Sequence, residues 1–525
     1  MNIEPIIFMY GPPGSGKTTA GRSLAQALDL AFIDLDHEIT TQAGRSIPEI
    51  FEREGEIGFR LRESAALQEV CERGSAVVAL GGGALLDPAN RALAESTGSV
   101  VCLAASRAAL QERLHKVEAI RPLLGKPSEV DHKLEGLLAA RAEHYASFPL
   151  QVDTQALIPE QSAWQIQVEL GLFRISGMGK PYDVRVWAGG LDQLGGLMKD
   201  RRLAGPLALV TDENVASLYL RRVTHSLTAA GYTVTPVILP SGEASKSLAS
   251  ASRLWEEFLK AGLERGSTAV ALGGGMISDL VGFAAAVYLR GMPWVAVPTS
   301  LLAMIDACLG GKTAIDLPQG KNLVGAFHSP ALIVADPDAI RSLPPVEMRN
   351  GLAEVLKHGL LRDPGLFAQC ARGFDALQGA DWTALVRRAL AVKVHYVQVD
   401  PYEQGERAAL NLGHTIGHAI EQASHFQLRH GEAVAIGMLA AARLSQRAGL
   451  AQPELVEQVA AALDALGLPK SMPPMLDLEE VLERVQLDKK KLGGQVRFVL
   501  PLKVGEVRYG MPVDLDVQTL RDVTQ

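Results

Sequence analysis

Between the apolar run Ile6-Ile7-Phe8-Met9-Tyr10 and a helix-forming stretch lies Gly11-Pro12-Pro13-Gly14-Ser15-Gly16-Lys17-Thr18, which fits G-x-x-x-x-G-K-[ST]. Few short patterns narrow a fold so far. A loop of this kind works only where a buried strand delivers it to the N-terminus of a helix, so it calls for a βαβ unit. Backbone N–H groups of Gly14, Ser15, Gly16, Lys17, Thr18 and Thr19 would then curl round the phosphates of ATP. Lys17 brings positive charge to the terminal phosphates, and the Thr18 hydroxyl can ligate Mg²⁺. The pattern specifies a nucleoside triphosphate and leaves the acceptor open.

The alternation continues downstream. Ala31-Phe32-Ile33, Ala76–Leu80 and Ser99–Leu103 read as further short strands separated by helical stretches, the signature of a mostly parallel sheet. It fades near Val168–Phe173, and the glycine-rich stretch 175–181 reads as a linker. A second alternating series follows, with Leu207–Val210, Ala269–Leu272, Trp294–Val297 and Leu332–Val334 as buried strands. From about Pro345 the texture turns to long Ala/Leu/Glu-rich helices, including Glu432–Ala448 and Glu454–Leu466. The expectation is an α/β chain: a P-loop kinase domain over 1–174, a linker over 175–181, a Rossmann-type α/β domain over 182–344, and a mainly helical domain over 345–525.

The acceptor of the first domain is sought in the residues after the loop. Asp34-Leu35-Asp36 ends the second strand, and at strand spacing the two carboxylates point to one side, one toward Mg²⁺ and one toward an acceptor hydroxyl. Capping of the next helix is the plainer alternative. Phe59-Arg60, Gly81-Gly82-Gly83, Arg121-Pro122-Leu123-Leu124 and Arg141 with Tyr145 follow. Together, arginines of this kind can clamp an anionic substrate and the transferring phosphoryl group. The ordered set from Pro5 to Phe148 resembles shikimate kinase. That resemblance implies that Asp36, Arg60, Gly82 and Arg141 hold shikimate, with Asp36 at the accepting hydroxyl. It also implies that Asp34 supports the Mg²⁺ shell with Thr18, and that Arg121 is the lid arginine acting with Lys17 on the phosphates. A kinase for another small polyol acid, such as gluconate, is the alternative.

In the second series, Asp212 follows a strand, where a carboxylate can accept from the ribose of NAD. Gly273-Gly274-Gly275 ends another strand and opens a helix, suited to a pyrophosphate. His414 and His418 stand four residues apart on one helical face, and Glu354 and His430 lie in other helical stretches. Two imidazoles and a carboxylate make a divalent site with Zn²⁺ as the default occupant.

From Tyr182 nearly to the C-terminus the chain resembles 3-dehydroquinate synthase. The carrying segments are Ser241–Lys246, Gly273–Asp279, Pro298–Leu302, Gly310–Thr313, Gly320–Asn322, Gly351–Lys357, Leu410–Glu421, His430–Glu432 and Asp488–Lys490. The resemblance implies Glu354, His414 and His430 as metal ligands, with His418 beside them moving a proton or orienting substrate; spacing alone would have paired His414 with His418. It implies an NAD⁺ site of Asp212, Ser241, Gly242, Glu243, Lys246, Gly275, Asp279, Thr299, Ser300, Lys312, Lys321 and Ser342. Asp306, Lys321, Asn322, Lys357, Lys393, Arg407, Asn411 and one of Lys489 or Lys490 would hold the substrate, and Lys357, Lys393, Arg407 and Asn411 are also expected in the chemistry. The metal is expected to be Zn²⁺ or Co²⁺. The implied reaction converts 3-deoxy-arabino-heptulosonate 7-phosphate to 3-dehydroquinate and phosphate with no net redox change. Another sugar-phosphate cyclase of valiolone or inosose type, a polyol dehydrogenase that releases NADH, and a scaffold with relic sites are the competing readings.

Composition sets the outer limits. With 525 residues, 47% hydrophobic and 21% charged, several cores can form. A net charge of −8 without a basic block argues against nucleic-acid binding. Cys71, Cys102, Cys308 and Cys370 are widely spaced, as buried thiols of a reducing compartment would be. No secretion signal or membrane span is legible, so a soluble cytoplasmic protein with small-molecule partners is expected, a homodimer through the second half being the assembly this reading allows.

Overall fold

In the computed structural model the described residues are 6–116, 129–491 and 496–525, without the side chains of 488–491. The chain divides into two compact units, Met1–Arg174 and Ile175–Gln525.

In the first unit five strands lie in the order Ala31–Asp34, Ala76–Ala79, Ile6–Tyr10, Gly98–Ala104 and Gln151–Asp153. Every pairing is parallel. Ile6–Tyr10 is central and buried along its whole length, which is why it is apolar throughout rather than alternating. Phe8 and Tyr10 enter a core that includes Leu35, Phe59, Leu67 and Phe148. The phosphate-loop pattern follows directly, and helix Lys17–Leu28 starts on Gly16, whose φ of 93° is a left-handed backbone that a Cβ disfavours.

One expectation needs correction here. Asp34 does end its strand, but its carboxylate caps helix Leu35–Ala43 by accepting from the Asp36 N–H at 3.2 Å. Asp36 therefore sits in a helical first turn, and strand alternation does not describe the pair.

In the second unit parallel strands run side by side in the order Tyr182–Val186, Leu332–Ala335, Trp294–Pro298, Ser267–Gly273, Ala204–Asp212 and Val234–Leu239. Their near-continuous Val, Leu and Ala runs are buried on both faces. An antiparallel hairpin, Lys312–Leu317 with Gly320–Phe327, reaches from this layer. Helices Pro345–Leu361, Trp382–Val399, His414–Ala423 and His430–Arg447 form the second layer. The C-terminal part is not wholly helical: Arg497–Lys503 and Glu506–Pro512 pair as a hairpin turned at Gly505, φ 86°. Among the described residues no helix is long and apolar enough to cross a membrane.

Helix His430–Arg447 is buried on almost every side, and its small residues let neighbouring backbone come close. A Cβ on Gly437 would lie 1.9 Å from the Gly413 carbonyl oxygen and 3.0 Å from the Gly417 nitrogen. Gly437→Ala is therefore expected to force apart the helices that carry His414 and His430. The expected cost is about 1–3 kcal/mol or more of stability, together with weakened metal retention, read by thermal melting and metal analysis.

Candidate functional site

In the first unit the phosphate loop and the acceptor residues meet across the glycine run 81–83. Lys17 Nζ donates to the carbonyls of Gly11 at 2.9 Å and Pro12 at 3.0 Å, so the ammonium stands within the loop. The Thr18 hydroxyl donates to Asp34 Oδ2 at 3.0 Å, which sets side by side two oxygens that could hold a divalent ion. Gly82 backs onto the loop, since a Cβ there would be 3.2 Å from the Gly11 carbonyl oxygen. Its own carbonyl accepts from Arg141 at 3.0 Å and from the Tyr145 hydroxyl at 2.7 Å. On the other side, a Cβ on Gly81 would be 3.4 Å from Asp36 Oδ1, and one on Gly83 would be 2.8 Å from Arg60 Nη2. Asp36, Arg60, Gly82 and Arg141 are thus brought to one wall of the loop. Arg121 lies outside the described residues.

Sequence reasoning passed over Glu63. It is 1% exposed, accepts from Arg60 at 2.6 Å, and feels the charges of Asp36 and Arg141. Burial raises its carboxyl, and Arg60 opposes that. Its spacing from Arg60, three residues on one helix, was legible; its burial was not.

In the second unit a cleft of about 1050 Å³ opens between the two layers. On the sheet side, Asp212, Gly274, Gly275 and Ser300 lie at or just beyond the carboxyl ends of neighbouring strands, the usual ligand edge of such a sheet. Asp212 also caps the following turn by accepting from the Asn214 and Val215 N–H groups. Ser241, Gly242 and Glu243 line the same edge. Lys246 Nζ is buried against Asp279 Oδ2 at 2.5 Å and also donates to Asn322. Burial opposes its charge, but the carboxylates of Asp279 and Glu243 outweigh that and hold the ammonium above the ordinary lysine range. Thr299 and Ser342 are not among the cleft-lining residues. Thr299 is 4% exposed, while the Ser342 hydroxyl accepts from Tyr219 at 2.7 Å and donates to the Ala339 carbonyl.

On the helical side, Lys393 Nζ donates to Asp306 Oδ1 at 2.6 Å and to its carbonyl at 2.7 Å. Burial lowers the Lys393 ammonium, and Asp306 pulls it back. Arg407 donates to the carbonyls of Pro401 and Gly310, and burial lowers it as well. Asn411 donates to Glu403 at 2.9 Å, and Lys312 pairs with the other oxygen of the same carboxylate. Glu403 is a second residue the sequence did not announce. The Lys489 and Lys490 side chains lie outside the described residues.

Between the layers Glu354, His414 and His430 converge from three helices. Glu354 Oε1 is 3.4 Å from His430 Nε2 and 3.7 Å from His414 Nε2. Tetrahedral donors at about 2.0–2.1 Å from Zn²⁺ stand roughly 3.3 Å apart, so the set fits a divalent ion with modest contraction. Both Glu354 oxygens are fully buried; Lys357 pairs with Oε2, while Oε1 faces the two imidazole Nε2 atoms without a hydrogen bond. That is the environment a cation satisfies. His414 Nδ1 faces the Leu412 carbonyl at 3.1 Å, which directs Nε2 inward. His418 stands 4.9 Å ring to ring from His414 and is pushed down to about 4 by burial and by His430, so it is neutral near neutrality.

His430 behaves differently. Burial would lower it, but the Glu354 and Glu421 carboxylates on its two sides raise it to about 9. An ion must displace that proton. Zinc uptake by the metal-free chain near neutrality is expected to release a proton, and the affinity to rise with pH until about pH 9, as pH-stat titration would record.

Comparison with known proteins follows the same division. The family model described as shikimate kinase matches residues 13–170. Those described as 3-dehydroquinate synthase N-terminal and C-terminal match residues 236–350 and 351–491. A 3-dehydroquinate synthase from Nostoc punctiforme is 43% identical over 350 residues, 66% of this chain and 96% of the relative. Among solved structures, a 2-deoxy-scyllo-inosose synthase complexed with carbaglucose-6-phosphate, NAD⁺ and Co²⁺ is 25% identical with a TM-score of 0.60, covering 67% of this chain and all of that one. A 2-epi-5-epi-valiolone synthase from Streptomyces hygroscopicus with NAD⁺ and Zn²⁺ bound is 27% identical with a TM-score of 0.57, covering 60% and 89%.

Proposed function

We propose the function from one premise: the chain belongs to the 3-dehydroquinate synthase family and carries a shikimate kinase domain ahead of it. It is a bifunctional enzyme of aromatic precursor synthesis. One half phosphorylates shikimate to shikimate 3-phosphate with ATP and Mg²⁺. The other converts 3-deoxy-arabino-heptulosonate 7-phosphate to 3-dehydroquinate and phosphate with NAD⁺ and a divalent metal. Dehydration and carbonyl reduction lie between the two reactions, so one half does not feed the other directly.

In the kinase half, Asp36 accepts the proton of the attacking hydroxyl while Arg60 and Arg141 pair with the shikimate carboxylate. Lys17 and the loop amides stabilise charge on the transferring phosphoryl group. Thr18 and Asp34 hold Mg²⁺, and Arg121 acts with Lys17 on the phosphates.

In the synthase half, Glu354, His414 and His430 hold the ion, and the sheet edge from Asp212 to Ser300 holds the dinucleotide. When bound, these groups supply Lewis acidity and a reversible hydride acceptor. Lys393, Arg407 and Asn411 grip the anionic substrate, joined by Asn322, Lys321, and Lys489 or Lys490. Lys357, paired with Glu354, and Asp306, paired with Lys393, also hold the substrate, and neutral His418 moves a proton or orients the substrate. The observation that carries this half is the convergence of Glu354 with two imidazole Nε2 atoms at the floor of a cleft edged by lysines.

The test is direct. Given the heptulosonate phosphate, the chain should release one phosphate per turnover, accumulate no NADH, and yield a product with the mass of 3-dehydroquinate. Net NADH would support a dehydrogenase, and an inosose- or valiolone-type mass another cyclase. The higher identity to the 3-dehydroquinate synthase relative, 43% against 25% and 27% for the two solved cyclases, favours the first product.

The same reading places the kinase in 1–174, a linker at 175–181, the dinucleotide part in 182–344 and the metal and substrate part in 345–525. Separate assays of halves cut near Gly177 test those limits. It also carries a homodimer through the synthase half, which sedimentation decides, and a cytoplasmic setting in keeping with four free cysteines.

A further inference from the structure

Glu421 belongs to none of the ligand sets assigned above, yet it is only 5% exposed and lies between two of them. Its Oε2 is 3.5 Å from His430 Nδ1, and its Oε1 accepts from Lys321 Nζ at 2.8 Å. Lys321 comes from the hairpin of the sheet layer, and the ring of Phe426 covers its ammonium at 4.4 Å. His430, on the helical layer, turns its other nitrogen toward Glu354.

Two groupings of donors within 4.8 Å of one another meet here: Glu354 with His414 and His430, and His418 with Glu421 and His430. Both need His430. A neutral imidazole has one lone pair and one N–H, so it can ligate on one side only and must donate on the other. Each carboxylate pairs with a lysine through one oxygen, Glu354 with Lys357 and Glu421 with Lys321. On the Glu354 side, however, His430 Nε2 faces the same free oxygen as His414 Nε2, whose ring is already held through Nδ1 by the Leu412 carbonyl. The lone pair of His430 therefore belongs on the Glu354 side, and its N–H on the Glu421 side.

We propose that Glu421 is a positioning residue: it fixes the tautomer and ring direction of His430 through Nδ1–H while its second oxygen holds Lys321. One buried carboxylate thereby ties the metal position to the cofactor side of the cleft. This rests on the reading of Glu354, His414 and His430 as metal ligands. A carboxylate behind a ligating histidine typically changes metal affinity about 10–100-fold.

The test is zinc affinity of the full-length metal-free chain, measured by competition with a chromophoric chelator, with circular dichroism and melting of the metal-free forms as checks on folding. Glu421→Gln is expected to bind zinc about 10–100-fold more weakly. Glu421→Asp, which keeps the charge but is shorter, should fall between Gln and the parent, and it carries the test if the Gln variant does not fold. Lys321→Met should leave zinc affinity within about twofold while raising the KM for NAD⁺, because it removes the other partner of the carboxylate and leaves the His430 contact in place. Zinc affinity unchanged in both Glu421 variants would overturn the proposal, as would a Lys321→Met loss equal to that of Glu421→Gln. A parent chain that takes up no zinc, or a His430→Ala variant that still retains it, would instead sink the metal reading and this proposal with it.

Discussion

Replacing Lys17 with alanine is expected to lower shikimate phosphorylation by about 10²–10³-fold or more and to leave cyclisation unchanged. Lys17 opens helix Lys17–Leu28, and its ammonium stands among the Gly11 and Pro12 carbonyls where the terminal phosphates arrive. Charge that develops on a transferring phosphoryl group is met there by a preplaced cation, and losing such a donor typically costs about 2.7–4 kcal/mol of barrier. Alanine is the best helix former, so the helix start survives and the loss is chemical rather than structural. The effect should fall on kcat, because only the late transition state needs the full charge. Both activities measured on one preparation decide the matter: loss of both together would refute independent sites.

His414→Ala is expected to produce the mirror image, with cyclisation abolished and phosphorylation retained. His414 supplies one of the three donors around the proposed ion, and its ring is held by the Leu412 carbonyl so that Nε2 faces Glu354. Structural zinc sites with four donors bind with about 10–16 kcal/mol, or roughly 2.5–4 kcal/mol per donor. Removal of one should therefore weaken metal binding by about two to three orders of magnitude. Metal content after dialysis, assayed beside phosphate release, checks both halves of the prediction. A variant that kept its metal but lost cyclisation would move His414 from the ligand set to the substrate.

Much of this molecule could be read along the chain because its chemistry is carried by local spacing. The phosphate loop requires a strand before it and a helix after it, and both stand there. The strands Trp294–Pro298 and Leu332–Ala335 announced themselves as short Val- and Leu-rich runs, since burial on both faces leaves no room for alternation. The strand-spacing argument for Asp34 and Asp36 failed for a local reason: Asp34 ends the strand and caps a helix that begins at Leu35. The hairpin Arg497–Pro512 was missed because short apolar runs of that length suit either helix or strand.

The residues that went unread share a different cause. Glu63, Glu403 and Glu421 are ordinary glutamates in sequence, and each becomes informative only when its carboxylate is set against an arginine, a lysine or a histidine. Burial and long-range pairing make them so, and neither has a period along the chain.

The sequence by itself determined that one half takes a triphosphate, because a phosphate loop carries its geometry within a short stretch of backbone. For the other half it announced a metal site, but the His-x-x-x-His spacing paired His414 with His418 rather than with His430. Only the tertiary structure decided that Glu354, which lies 60 residues before His414, meets both imidazoles at one point. It also decided that His430 faces two carboxylates through opposite nitrogens. Those relations arise where helices pack at Gly413, Gly417 and Gly437, and the distance between separate helices is fixed by what their surfaces allow, not by the order of their residues.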